Sequence, residues 1–281
     1  MKTAVLITCY NRVETTLRCL RQFFAQIMPD GMECYFYLVD DASPDRTGEK
    51  VKAEFPHVNV IMGTGRLFWC KGMRLAWDTA IKSGIDYDFY LWLNDDVQLL
   101  EGALASVFSD SDKIVTVSGK YGIVVGAFSQ AENVSQATYG LWDKNNEIVQ
   151  PNGEPQWVDG YGMNGNLVLI PKAIYEAVGP IYDGYCHGVG DFDYRLMARG
   201  KGYLAYSSSR LCGVCPRQSK VYDKLCYEPI LKRFKALFSP YGRPLKDTFV
   251  FRMRHWGFWR AVISCVHVVY LVVWPPKHTS S

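Results

Sequence analysis

Phe89-Tyr90-Leu91-Trp92-Leu93-Asn94-Asp95-Asp96 is a run of five large apolar residues that ends abruptly in an amide and two carboxylates. A strand with one wet face alternates apolar and polar residues. One that is apolar at every position is covered on both faces, as in a parallel sheet flanked by helices. Working back toward the N-terminus, the same punctuation recurs. Tyr35 to Val39 is a second apolar run that stops at Asp40-Asp41, and Thr3 to Thr8 and Val58 to Met62 are two further β-rich stretches. Between them, Val13, Leu17, Leu20, Phe24 and Ile27 repeat at helical spacing. Thr47 to Phe55 reads as a second helix, and Met73, Ala76, Trp77, Ala80 and Ile81 form the buried face of a third. Four strands separated by helices imply right-handed crossovers and an α/β fold with an open, doubly wound, mostly parallel sheet.

Beyond Glu101 the pattern becomes mixed. Short strands are expected at Ile114 to Val117, Ile123 to Phe128 and Leu167 to Ile170, with helices at Lys172 to Val178 and Asp191 to Arg199. No Pro- or Ser-rich linker separates this half from the first. Residues 1–100 and 101–227 therefore read as two halves of one domain, and 228–281 as a basic, amphipathic, helical C-terminal region.

The 281 residues are 48% apolar and 21% charged, which supplies a sizeable core and excludes a disordered, collagenous or coiled-coil chain. The net charge of +3 hides an asymmetry. Residues 228–281 carry nine Lys/Arg against two acids, so the first 227 residues are net acidic. Nine scattered cysteines do not form a disulfide framework and suit a reducing compartment, and the lone Cys212-x-x-Cys215 lacks partners at zinc-site spacing. The apolar run Ala4 to Ile7 is too short for a signal peptide.

In open α/β sheets ligands bind at the carboxyl ends of strands, where Asp95-Asp96 and Asp40-Asp41 fall. Adjacent carboxylates repel, and a shared hard cation such as Mg²⁺ or Mn²⁺ relieves them. A carboxylate at the second pair is able to accept a nucleobase N–H or a ribose hydroxyl, or to cap the helix that follows. Neither G-x-G-x-x-G after the first strand nor a P-loop is present, so dinucleotide and P-loop phosphate binding are unsupported.

Strand-Thr8-Cys9-Tyr10-Asn11-Arg12, then Val39-Asp40-Asp41-Ala42-Ser43, then Leu93-Asn94-Asp95-Asp96 resembles the inverting glycosyltransferases of family 2, with a flavour of rhamnosyltransferase-like and other polysaccharide-assembly members. The likeness spans about residues 3–205. It implies the glycosyltransferase A-type fold and a metal-dependent transfer from a dTDP- or UDP-sugar to a glycan or lipid-linked glycan acceptor. Thr8, Tyr10 and Asn11 would line the nucleotide pocket, with Asp41 at the pyrimidine. Asn94-Asp95-Asp96 would be the D-x-D-like element, Asp95 near the ribose or sugar and Asp96 on the metal. Gly65 to Arg74 falls where members carry a Gly-rich stretch, and Arg66 and Lys71 there are candidate cations for the diphosphate. Gly188-Val189-Gly190-Asp191-Phe192-Asp193 resembles the family's acidic motif. Residues two apart on a helix do not share a face, so one of the two is the base. Asp191, at the expected N-cap, is preferred, with Asp193 holding a loop or Arg195. Trp157 to Asn166 resembles the loop before the acceptor-side strand, which makes Trp157 and Asn164 acceptor candidates. His187 would approach the diphosphate or the acceptor.

The C-terminal region combines Lys232-Arg233-x-Lys235 and Arg252-x-Arg254-His255-Trp256 with an apolar stretch from Phe258 to Trp274. Such a pattern suits a helix lying on an anionic membrane surface, here through 228–275, on the inner face of the cell membrane and thus with the enzyme in the cytoplasm. No nucleic-acid recognition motif accompanies the charge. A sugar-phosphate nucleotidyltransferase and a catalytically silent glycan- or membrane-binding module remain as alternatives.

Overall fold

The central strand β1 (Lys2–Cys9) carries almost no polar side chain between Ala4 and Ile7, and its neighbours on both sides are parallel to it. In the computed structural model, which describes residues 1–132, 135–216, 227–242 and 244–275, β2 (Glu33–Asp40) and β3 (Asn59–Met62) extend the sheet to one side of β1 and β4 (Phe89–Leu93) to the other. The crossovers are α1 (Val13–Phe24), α2 (Thr47–Glu54) and α3 (Phe68–Lys82). Alternate residues of β1 face opposite layers. Val5 and Ile7 pack on Leu17, Leu20 and Phe23 of α1, while Ala4 and Leu6 pack on the layer of Met73, Ala76, Trp77 and Ala80 of α3. This half has the strands and helices that its periodicity predicts, but Phe24 and Ile81 at the ends of their helices are exposed, Ile27 lies exposed beyond α1, and Phe23 takes the buried place at the end of α1.

The second half continues the sheet with mixed polarity. β5 (Gln98–Leu99) leads to α4 (Ala103–Ser118), β6 (Ile123–Ser129), β7 (Gln156–Trp157), β8 (Leu167–Pro171), α5 (Lys172–Val178), α6 (Gly190–Gly200) and β9 (Ala205–Val214). The strand order is β3-β2-β1-β4-β8-β6-β9-β5, with β7 paired to β9. β8 runs antiparallel to both β4 and β6, which ends the parallel half at β4.

One expected strand is absent. Ile114 to Val117 lies inside α4, not in the sheet. Its β-branched run favours a strand locally, but Leu104, Val107, Phe108, Ser111 and Ile114 recur at three- and four-residue intervals and bury one helical face. Gly102 and Gly119 delimit that helix, both in the left-handed region that glycine enters without steric cost.

The C-terminal region forms α7 (Ile230–Lys235), α8 (Leu245–Trp256) and α9 (Phe258–Val273), helical as its sequence pattern suggests. α8 packs on the body through Phe251, which clusters with Cys70 and Tyr185. α9 buries Ala261, Val268 and Val272 and exposes Phe258, Trp259, Ile263, Val266, Tyr270 and Trp274. Among the described residues no helix is long and apolar enough to cross a membrane. Cys226, the one nearby cysteine for the Cys212/Cys215 pair, and the basic Arg243 and Lys277 lie outside the described residues.

Candidate active site

The parallel register sets the carboxyl ends of β1, β2 and β4 side by side, Cys9 opposite Asp40 and Leu6 opposite Trp92. Thr8, Tyr10, Arg12, Asp41, Asp95 and His187 consequently line one crevice, together with Phe68, Trp69 and Tyr241. The approach of α3 to β1 depends on Gly72, because a Cβ there would collide with the side chain of Thr8.

The acidic pair that repulsion predicts to need a cation has one. Arg12 Nη1 donates to Asp95 Oδ1 at 3.2 Å and to Asp96 Oδ2 at 2.8 Å. Asp95 also accepts from Thr16 Oγ1 at 3.2 Å. Burial raises the Asp95 carboxyl to about 7, with Arg12 opposing and Asp96 reinforcing the rise. The pair offers oxygen ligands of the kind that a hard divalent ion takes beside substrate phosphates. Its present countercharge is a guanidinium whose side chain is 40% exposed, free at one side to yield that position. Among the described residues no three His, Cys, Asp or Glu side chains converge to hold a metal.

Asp41 takes the backbone N–H groups of Gly65, Leu67 and Phe68 at 2.7, 2.8 and 3.1 Å and thereby anchors the start of α3. Asp40 reaches the first turn of α2, its Oδ2 accepting from Gly48 N–H at 2.8 Å. In the same first turn of α3, Trp69 donates its indole N–H to Asn94 Oδ1 at 2.8 Å. Asn94 in turn donates to Asn166 Oδ1 at 3.1 Å, and its backbone N–H reaches the Asn166 carbonyl at 2.9 Å. Beside Asn166, Gly165 N–H donates to Asp191 Oδ2 at 3.2 Å. Hydrogen bonds joined by adjacent residues (Phe68 to Trp69, Asn166 to Gly165) therefore connect Asp41 through Asn94, at the end of β4, to Asp191.

Asp191 is the second residue of α6, not its N-cap, and Oδ1 accepts its neighbour Phe192 N–H at 2.9 Å. Burial pushes its carboxyl up to about 7 against the pull of these N–H groups. Asp193 faces elsewhere. It is buried and accepts from Tyr185 Oη at 2.9 Å, Arg254 Nε at 2.9 Å and His255 Nε2 at 2.7 Å. Burial alone would raise its pKa, but the bonds from His255 and Arg254 prevail and hold it below the usual carboxylate value. Its expected partner Arg195 instead donates to the carbonyls of Trp142, Val158 and Gly162.

The remaining expected residues divide. Asn11, in the left-handed region, turns its backbone N–H to Ser43 Oγ. Arg66 and Lys71 are not among the crevice-lining residues. Trp157 sits on β7, paired to Tyr206 at the far side of the sheet, and Asn164 Oδ1 accepts from Gly140 N–H and the Trp142 indole inside its own loop. His187 faces the crevice with Nδ1 buried and unpartnered among the described residues, its basicity lowered by burial and then by Arg12. Sequence reasoning missed Arg12, Trp69 and Tyr241. The first two lie in quoted motifs, but their partners are distant in sequence, and Tyr241 carries no local signal.

A family model described as Glycosyl transferase family 2 matches residues 4–152. No curated protein matches the chain in sequence. Among solved structures, the mannosyltransferase PcManGT from Pyrobaculum calidifontis in complex with GDP-Man and Mn²⁺ is 15% identical, with a TM-score of 0.55 over 98% of this chain and 75% of its own. S. aureus TarS 1-349 in complex with UDP-GlcNAc is 14% identical, with a TM-score of 0.55 over 92% and 73%. GalNAc-T7 with UDP, GalNAc and Mn²⁺ is 15% identical, with a TM-score of 0.54 over 100% and 59%. At these identities the shared property is the fold, a mixed α/β sheet of the glycosyltransferase A type.

The Asp193 clamp fastens α8 to the body, which makes its contribution measurable. Asp193→Asn leaves Arg254 facing a neutral amide and should cost about 2–3 kcal/mol in denaturant unfolding at neutral pH. Because the folded pKa is depressed, that contribution is present above the unfolded carboxylate value and fades as pH falls through the folded one, so wild type and variant should converge in acid. Equal midpoints at neutral pH would remove the clamp from the stability of the fold.

Proposed function

Since this chain belongs to glycosyl transferase family 2, we propose that it is an inverting transferase that moves a sugar from a UDP- or dTDP-linked donor to a hydroxyl of a glycan or lipid-linked glycan. The observation that supports this most is the hydrogen-bonded frame linking Asp41, Asn94 and Asp191, which ties a donor-side acid and the amide that opens the acidic element after β4 to an acceptor-side acid.

In this reading Thr8, Tyr10 and Asn11 line the nucleotide pocket, Asp41 meets the base, and Asp95 approaches the ribose or sugar. Asp96 holds a Mg²⁺ or Mn²⁺ ion, which supplies positive charge at the departing diphosphate when bound. Arg12, already at the acidic pair, is better placed than Arg66 or Lys71 to add a cation there. Asp191 accepts the proton of the acceptor hydroxyl as its oxygen bonds to the anomeric carbon. The bond from that carbon to the diphosphate breaks with its electron pair on the leaving group. Asp193, held in four hydrogen bonds by Tyr185, Arg254 and His255, is the poorer base.

The exposed apolar face of α9 and the basic Lys232, Arg233 and Lys235 of α7 support docking on an anionic membrane surface. Cosedimentation with phosphatidylglycerol vesicles, weakened by salt and absent with phosphatidylcholine, is the expected result. Equal recovery in the supernatant with both lipids would exclude it.

Calorimetric titration with UDP and dTDP should show Mn²⁺-dependent binding that Asp96→Ala abolishes and Asp191→Asn retains, while Asp191→Asn loses transfer by at least about 10²-fold. Absence of binding to either nucleotide in folded protein would reject the pyrimidine donor. With its carboxyl near pH 7, Asp191 is ionised above that value and protonated below it. The transfer rate should therefore rise with pH through about 7, and a rate flat from pH 5 to 8 would remove Asp191 as the base.

A further inference from the structure

Next to the donor crevice the C-terminal helices enclose a second cleft of about 560 Å³, within the size range of small-molecule sites. One wall comes from the body, with Trp142, Tyr161 and Phe192, and the other from α8 and α9, with Phe251, Ile263 and His267. The partition between cleft and crevice is thin. His187 and Tyr241 line the crevice, and the residues that follow them, Gly188 and Gly242, line the cleft. The His187 and Tyr241 rings meet edge to face at 5.2 Å to complete it. Phe192, on the cleft side, adjoins Asp191.

Asp247 also lines this cleft, although it is only 3% exposed. Oδ2 accepts Cys186 N–H at 3.0 Å, whereas Oδ1 is buried with no hydrogen-bond partner among the described residues. A buried carboxylate oxygen without a donor is costly, so the site is built to receive one. Arg252 lines the same cleft, but its guanidinium lies over the Phe251 and Trp256 rings; a phosphate would still face the unpartnered Asp247 carboxylate, and an alkyl chain would leave that carboxylate unsatisfied. A neutral ring that carries hydroxyls and C–H faces meets both the carboxylate and the aromatic walls.

We propose that this cleft seats a glycosyl residue of the acceptor, with one of its hydroxyls donating to Asp247 Oδ1 and its C–H face against the aromatic wall. The assignment rests on the transferase reading above and names the subsite from which the acceptor reaches Asp191.

Two substitutions separate this site from the donor site. In Asp247→Asn the amide oxygen is needed by Cys186 N–H, so the cleft receives an N–H₂ in place of an acceptor. Ser264→Trp fills the cleft from α9 and leaves the Asp247 side chain itself unchanged. Ligand-detected NMR on the full chain, with UDP and Mn²⁺ present, should show binding of at least one of the methyl glycosides of glucose, galactose, mannose, rhamnose and N-acetylglucosamine. That binding should weaken at least about tenfold in both variants, while the UDP titration stays as in wild type. Failure of every glycoside to bind wild-type protein, or equal binding by wild type and both variants, would overturn the assignment. If UDP fails to bind wild-type protein but a glycoside binds in an Asp247-dependent way, the donor reading falls and the sugar-binding cleft stands.

Discussion

Four carboxylates, Asp40, Asp41, Asp95 and Asp96, close the two strands that flank β1, and the loops of the crevice are folded around the need to satisfy them. A carboxylate withdrawn from water must be met by donors or by charge. Asp40 and Asp41 are met by backbone N–H groups from Ser43, Gly48, Gly65, Leu67 and Phe68. Such bonds fix the path of the chain as well as the charge. By holding the first turn of α3, Asp41 sets the Trp69 indole that holds Asn94, and Asn94 sets the loop that ends at Gly165 and Asp191. The close contact between Gly165 and the Trp69 ring, where no Cβ fits, completes this frame.

Asp95 and Asp96 are handled differently, because a guanidinium and not the backbone neutralises them. The distinction matters chemically. A backbone N–H cannot leave, whereas an exposed side chain can move when a competing cation and its phosphates arrive. Asp40 and Asp41 therefore hold the path of the chain through main-chain bonds, whereas Asp95 and Asp96 share the Arg12 guanidinium. A different distinction separates Asp191, which takes backbone N–H groups and has its carboxyl raised by burial, from Asp193, which the bonds from His255 and Arg254 hold below the usual carboxylate value and tie to α8.

Most of the nucleotide half was legible in the sequence because its signals are local. A strand buried on both faces is apolar throughout, and a strand end at a crevice is acidic, so β1, β2 and β4 with their carboxylates could be placed without coordinates. The failures have one cause in common, which is that the deciding partner lies far away in the chain. Ile114 to Val117 has strand-like propensity, and only the packing of α4 on β6 and β9 makes it helical. Asp193 has a nearby cation in Arg195, but its true partners are 61 and 62 residues on. Arg12 stands 83 and 84 residues from the acids that it bridges, and no spacing rule reaches that distance.

The C-terminal helices show how one segment can serve two surfaces. α9 has 16 residues and so is about 24 Å long, short of the roughly 30 Å hydrocarbon core of a bilayer. Burying Ala261, Val268 and Val272 against the protein takes one stripe of the helix and leaves its other apolar residues outward. Such a helix cannot be both packed by its inner stripe and inserted across a bilayer, because insertion would expose the polar α7 and α8 that it packs with. Lying flat satisfies both faces at once. Val268 of the inner stripe lines the cleft beside the crevice, and in the membrane reading proposed above the outer face would meet an apolar boundary rimmed by the cations of α7. Because Ile263 belongs both to the outward residues and to the cleft lining, in that reading the mouth of the cleft would open at that boundary, where a glycan carried on a lipid would present its sugar.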